Sequence, residues 1–151
     1  MSNEKLISSN KHAYHEYHIY DKYQAGIVLT GTEIKAVRAG KVNLKDSFVK
    51  IESGEAWLYN AHISPYEQGN VYNQPSLRKR KLLLRKEEIN KLIGKTKESG
   101  NTIVPTKLFL SNGWAKIEIA IAKGKNLHDK RETLAKKDLK REVDRALKDR
   151  Y

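Results

Sequence analysis

The stretch Asn101–Lys125, NTIVPTKLFLSNGWAKIEIAIAKGK, decides how this chain is read. Two alternating runs flank Asn112-Gly113, a pair whose members both tolerate positive φ, and that combination predicts a β-hairpin. On its second arm Ala115, Ile117, Ile119 and Ile121 share one face, while Lys116 and Glu118 share the other. Upstream, RKRKLLLRKEEINKLIGKTKESG changes period. Leu82–Leu84 read as a short strand, and Glu88–Lys97 carries Ile89, Leu92 and Ile93 at helical spacing, with Gly100 after its end. Further back, DSFVKIESGEAWLYNAHI predicts a hairpin turning at Ser53-Gly54. SPYEQGNVYNQPS reads as a loop, marked by Pro65, Gly69 and Pro75. TEIKAVRAG reads as a short helix capped by Thr32, with Ile34 and Val37 toward the core and Gly40 as the stop. YHEYHIYDKYQAGIVLTG suggests strand, broken near Gly26. Residues 1–13 are polar, and the first nine are expected to be mobile.

The expected fold is therefore mainly β with flanking helices. A small oligonucleotide-binding-type (OB-like) β-barrel over residues 1–122 fits, followed by a basic tail over 123–151. The 151 residues suit one domain, which at that size buries about 70% of its unfolded-chain surface. Thirty Lys and Arg stand against eighteen Asp and Glu, a formal charge of +12. Such a surplus favours an acidic partner, nucleic acid before anionic membrane. Without cysteine there is neither disulfide nor thiolate metal site. No apolar run approaches the ~20 residues of a membrane span, and MSNEKLISSNKHAYHEY lacks the apolar centre of a signal peptide. A cytoplasmic, monomeric protein with no membrane partner is expected.

The densest charge is RKRKLLLRK, Arg78–Lys86, six basic residues in nine. Flanking a strand, these side chains suit phosphate; they equally suit a solvated loop guarding an apolar strand. Tyr14, Tyr17, Tyr20 and Tyr23 lie among His and Lys, where rings can stack on bases, although strand alternation would send half of them into the core. His12, His15 and His18 are three apart. On a strand that spacing puts neighbours on opposite faces, and no carboxylate or thiol completes a ligand set, so neither metal nor cofactor is expected. His128, Asp129, Lys130 and Glu132 could be drawn as a nuclease site, but they stand in a charge-rich stretch and complete no catalytic checklist. From the residues alone the reading stops at a basic barrel that binds RNA.

Several blocks in one order carry a resemblance: NKHAYHEY, AGIVLTGTEIKAVRAGKVNLKDS, GEAWLYNAHISPY, RKRKLLL, TIVPTKLFL and AKGKNLHDKRE. From about Asn10 onward the chain resembles the SmpB family of tmRNA-binding (SsrA-binding) proteins. The resemblance implies an OB-like barrel and bacterial ribosome rescue by trans-translation, without covalent chemistry. Such a protein binds the tRNA-like domain of tmRNA and brings it, with elongation factor Tu, to stalled ribosomes, standing in for the missing anticodon arm. Asn10 and Lys11 match the family's Asn-Lys, and Leu83 the middle of its Lys-Leu-Leu-Leu run; His15, Arg80 and Lys81 lie in matching blocks. These are the expected tmRNA contacts, together with Gln24, which stands where the family usually has Glu. Gln keeps an acceptor and adds donors but loses the charge. His128, Asp129, Lys130 and Arg131 match the segment the family brings to the decoding centre. Lys123, Lys125, Lys136, Lys137, Lys140, Arg141, Arg145 and Leu147 are assigned to the ribosome with them.

The tail from Lys123 to Tyr151 holds eleven basic and six acidic residues. Its pairs, Glu132 with Lys136, Asp138 with Arg141 and Asp144 with Lys148, are each worth only about 0.2–0.5 kcal/mol. Leu139, Val143, Ala146 and Leu147 form a seam too thin to fix a helix on the body. A tail disordered when free and helical on the ribosome is expected. As a helix, 129–151 would span roughly 35 Å, enough to lie along an empty mRNA channel.

Overall fold

The computed structural model describes residues 4–65, 75–98 and 100–125. Among the described residues, nine strands and three helices follow one another: β1 (Glu4–Ser9), α1 (Lys11–Glu16), β2 (Tyr17–Ile27), α2 (Gly31–Arg38), β3 (Val42–Asn43), β4 (Phe48–Glu52), β5 (Glu55–Tyr59), β6 (His62–Ile63), β7 (Arg80–Leu83), α3 (Lys86–Thr96), β8 (Asn101–Ser111) and β9 (Trp114–Gly124). The sheet runs β1-β8-β4-β5-β7-β2-β9, and β9 returns to pair with β8. Six strands thus close into a barrel, which leaves β1 along part of β8 as the added edge. β3 and β6 form a separate two-stranded pair. This is the OB-like, mainly β architecture expected, with β9 continuing two residues past the anticipated boundary at 122.

The β8–β9 hairpin turns at Asn112 (φ 51°) and Gly113 (φ 83°). Its register pairs Ser111 with Trp114, Phe109 with Lys116 and Leu108 with Ile117. Ala115, Ile117, Ile119 and Ile121 point into the core with Leu58, Leu82, Leu92 and Leu108. The Ser53-Gly54 turn has the same positive-φ character and joins β4 to β5.

Several details differ from expectation. Glu4–Ser9 is strand rather than mobile chain, pairing Glu4 with Ser111 and Ser9 with Lys107. Backbone pairing to an exposed edge needs little apolar side chain, so a polar segment joins the sheet without a hydrophobic signal. Residues 11–16 form a helix too short for periodicity to reveal, with only Ala13 buried. Ala13 covers Val104 and Ala122 on the outside of the barrel, beside Tyr17 and Ile19. β2 does not break at Gly26; its irregularity falls between Ile19 and Lys22. α2 is capped by Thr30 instead of Thr32. Thr30 Oγ1 accepts from the Glu33 N–H (3.3 Å), and Glu33 Oε1 accepts from the Thr30 N–H (2.9 Å). α3 begins at Lys86, where Glu88 Oε1 accepts from the Arg85 N–H.

The two threonines make a direct test of the cap. Thr30→Ala should lose about 1 kcal/mol in urea unfolding, and Thr32→Ala less than half of that.

Candidate nucleic-acid interface

Register defines one outward surface across β8, β9, β2 and β7. Lys107 faces Glu118, which faces Gln24; in the next row Phe109 faces Lys116, then Gly26, then Leu83. At one end α1 lies over the strands, with Lys11 exposed at its first turn. At the other end lies an apolar groove of about 380 Å³ lined by Val28, Leu29, Ile34, Leu83 and Trp114, with Lys116 on its rim. Leu83 is 56% exposed and Trp114 74%. Leu83 stands over Gly26, close enough that a Cβ there would touch its side chain at 3.4 Å.

One acid sits among the cations of this surface. Glu118 lies 3.4 Å from the Lys22 ammonium and 3.6 Å from that of Lys107, and it accepts from the Thr106 hydroxyl at 2.9 Å. The Tyr14 hydroxyl accepts from Lys22 at 2.9 Å and holds its pKa above the ordinary lysine value, with Glu118 adding to the effect. Gln24 is exposed directly across from Glu118. A carboxylate at 24 would place like charges opposite each other, a destabilising pairing. The glutamine avoids this repulsion and keeps hydrogen-bonding groups on the surface. Among the described residues, Lys11 and Lys116 have no acidic partner.

The expected RNA contacts divide. Lys11, Gln24 and Leu83 fall on this surface. Asn10 lies at its edge but is only 4% exposed. Its amide donates to the Pro105 carbonyl (2.9 Å), its side-chain oxygen caps α1 at the Ala13 N–H (3.3 Å), and its backbone N–H donates to the Thr106 carbonyl. Asn10 therefore ties α1 to β8 at the bulge between Pro105 and Lys107. His15 is partly buried on α1. Its Nδ1 is the one buried side-chain nitrogen or oxygen without a hydrogen-bond partner among the described residues. Lys81 turns toward β5 and pairs with Glu55 at 3.0 Å.

Arg80, expected among the tmRNA contacts, is fully buried in this structure. Its Nε donates to Glu33 (2.7 Å), and its other nitrogens donate to the carbonyls of Ala61 (2.8 Å) and Ser76 (3.1 Å). Arg80 alternates with Leu82 into the core because the strand period sends every second side chain inward, whatever its charge. Arg78 joins the cluster through Nε and Nη2 to the same Glu33 carboxylate. Burial alone would push the Glu33 carboxyl up; hydrogen bonds from Arg78, the Thr30 N–H and Arg80 outweigh it and hold it below the ordinary carboxylate range. Burial pulls Arg80 below its usual value, with Glu33 opposing.

Lys123 and Lys125 lie at the far end of β9. Lys125 donates from its backbone to the Glu16 carbonyl (2.9 Å) and from Nζ to the Tyr14 carbonyl (3.1 Å). His128, Asp129, Lys130, Arg131, Lys136, Lys137, Lys140, Arg141, Arg145 and Leu147 lie outside the described residues, as do both states expected of the tail. His12 and His15 share α1, so helical rather than strand geometry governs them; their ring centroids are 6.5 Å apart. Among the described residues no three His, Cys, Asp or Glu are placed to hold a metal, and no helix is long and apolar enough to cross a membrane. Trp114, Val28 and Lys116 were not among the expected contacts. Trp114 shares the parity of Lys116 and Glu118, so an aromatic ring on the hydrophilic face of the hairpin was a readable signal.

A closed, OB-like barrel with a basic and aromatic outer face belongs to a class of small nucleic-acid-binding folds. Within that class, residues 7–149 match the family model described as SmpB protein, and the chain belongs to this family. It is 58% identical over 148 residues to the SsrA-binding protein of Carboxydothermus hydrogenoformans, covering 98% of this chain and 99% of that relative. To the SsrA-binding protein of Bacillus pumilus it is 62% identical over 146 residues, 97% of this chain and 94% of the relative. A solved structure described as "tmRNA-SmpB: a journey to the center of the bacterial ribosome" matches with a TM-score of 0.69 and 44% identity, over 84% of this chain and 93% of that one.

The Glu33 cluster sets an acid limit. A carboxyl whose folded pKa is depressed adds stability that is complete above its unfolded value and is lost as pH falls through the folded one. Stability should therefore drop on acidification below the ordinary carboxylate range, and Glu33→Gln should flatten that part of a urea-stability profile. Glu33→Ala, which strands Arg80 in the core, should lose about 3–5 kcal/mol at neutral pH.

Proposed function

We propose that this protein is an RNA-binding adaptor of bacterial trans-translation. It binds the tRNA-like domain of tmRNA and, with elongation factor Tu engaged on the same RNA, brings it to ribosomes stalled without a stop codon. It works in the cytoplasm as a monomer and does no covalent chemistry. The observation that carries the reading is the continuous outer face from Lys11 through Gln24 and Lys116 to Leu83 and Trp114, in a chain of charge +12. Lysines without an acidic partner suit phosphates, and an exposed indole beside Leu83 suits an unpaired base. The outer wall toward β4 and β5 is a poorer fit, because there Lys79 and Lys81 are matched by Glu52 and Glu55.

The tail completes the task. His128, Asp129, Lys130 and Arg131 meet the decoding centre, and Lys136, Lys137, Lys140, Arg141, Arg145 and Leu147 form a helix in the vacant mRNA channel. An mRNA filling that channel excludes the helix, so the tail reports vacancy. The supporting features are the eleven basic residues of the tail and its thin apolar seam.

Two measurements test the reading. Trp114→Ala should keep the wild-type melting temperature and weaken binding of the tRNA-like domain by about tenfold, in line with the roughly 1–3 kcal/mol of a base-aromatic stack; unchanged affinity removes Trp114 from the interface. Deleting residues 132–151 should leave tmRNA binding intact and abolish peptide tagging on stalled ribosomes. Binding lost with the deletion would show that barrel and tail do not divide the work in this way.

A further inference from the structure

We propose that Glu33 and Arg80 are positioning residues for RNA recognition. Their buried ion pair seats β7, and through it fixes how Leu83 stands over Gly26, while Arg80 itself touches no phosphate. The inference rests on the adaptor reading above and assigns a role to a cluster that lies beneath the RNA-facing surface.

β7 is only four residues long, with two ladder pairs to β2 and three to β5. A strand so short has little backbone pairing to fix its height in the barrel wall. The side chain at its first residue supplies the rest. Arg80 reaches across to Glu33 on α2 and to the carbonyls of Ala61 and Ser76, which stand before and after the segment leading into β7. The Ser76 carbonyl also accepts from the Ile63 N–H at 3.0 Å, so the clasp extends to β6. On the other side, the Glu33 carboxylate takes donors from Arg78, Arg80 and the Thr30 backbone, which fixes the start of α2 directly after β2. Both neighbours of the Leu83–Gly26 contact are thereby tied to one buried point.

The alternative role for Arg80, swinging out to a phosphate, would leave Glu33 buried with Arg78 and take the Arg80 donor from the Ala61 and Ser76 carbonyls, of which Ser76's keeps the Ile63 N–H. Buried acceptors and charges deprived of partners are expensive. Leu83 comes three residues later and is outward because Arg80 and Leu82 are inward. A shift of β7 along β2 would take Leu83 out of its register opposite Gly26 and away from the groove it lines with Val28 and Trp114.

The test uses the full-length protein and a transcript of the tRNA-like domain of tmRNA, titrated over a series of KCl concentrations. Wild type, Glu33→Gln, Leu83→Ala and the double variant are compared, with near-ultraviolet circular dichroism to monitor the fold and amide exchange to monitor Leu82 and Leu83. Glu33→Gln should stay folded, exchange faster at the β7 amides and bind about tenfold more weakly with an unchanged salt slope. The double variant should bind within about twofold of Leu83→Ala alone, because both changes remove the same contact. Losses that multiply would reduce the pair to general stability and overturn the proposal. Binding by Glu33→Gln as tight as wild type, or tighter, would overturn it in favour of an Arg80 released to phosphate. Should Glu33→Gln fail to fold, Arg80→Lys takes its place: it should exchange faster at the β7 amides and add no further loss to Leu83→Ala, whereas losses that multiply, or β7 exchange as slow as wild type, overturn the proposal. Wild-type protein that does not bind the transcript overturns the adaptor reading, and unchanged β7 exchange in the variant separately overturns the seating of β7.

Discussion

The register of the β8–β9 hairpin is set at Asn112 and Gly113, and a slip of one residue there would turn Ala115, Ile117, Ile119 and Ile121 to solvent and bring Lys116 and Glu118 into the core. That penalty fixes more than the hairpin. β9 also pairs with β2 over most of the length of both strands, so the same register decides which β2 residues look outward. Gln24 and Gly26 are surface positions because Ala25 opposes the buried Ile117 of β9 and Ile27 opposes the buried Leu82 of β7. β7 inherits its phase from β2 in turn, which is why Leu83 is exposed and Arg80 is not. The outer face is the complement of the core and needs no separate specification.

The bulge between Pro105 and Lys107 adds the second constraint. Proline has no N–H for the ladder and is tolerated in a strand where pairing is already interrupted. The carbonyls of Pro105 and Thr106 receive the side chain and backbone of Asn10. An irregularity in β8 thus becomes an attachment for α1, and α1 covers an apolar part of the outer wall formed by Val104 and Ala122. Asn10 is at once a cap, a tie and a neighbour of the exposed Lys11.

Much of this was readable in the sequence wherever local chemistry and burial agreed. Both hairpin turns, the core face of β9, the helix around Leu92 and the barrel class come from periodicity and turn residues. β1 and α1 could not be read that way, since β1 is held by pairing to an edge and α1 by a cap and one buried alanine. The burial of Arg80 was missed because charge was read without strand phase: its neighbours Lys79 and Lys81 are outward, and alternation places it inside with Leu82. Trp114 was overlooked although its parity marked it. The family blocks pointed to Asn10, Lys11 and Leu83, yet their division into an exposed lysine and leucine and a buried asparagine depends on tertiary contacts.

The two bonds from Lys125 to α1 also fix where the barrel lets go of the chain. Backbone and side chain of Lys125 are both held, by the carbonyls of Glu16 and Tyr14. Lys125 is therefore a fixed post at the end of the barrel, and covalent geometry alone lets a residue n positions beyond it lie no farther away than about 3.6 Å times n.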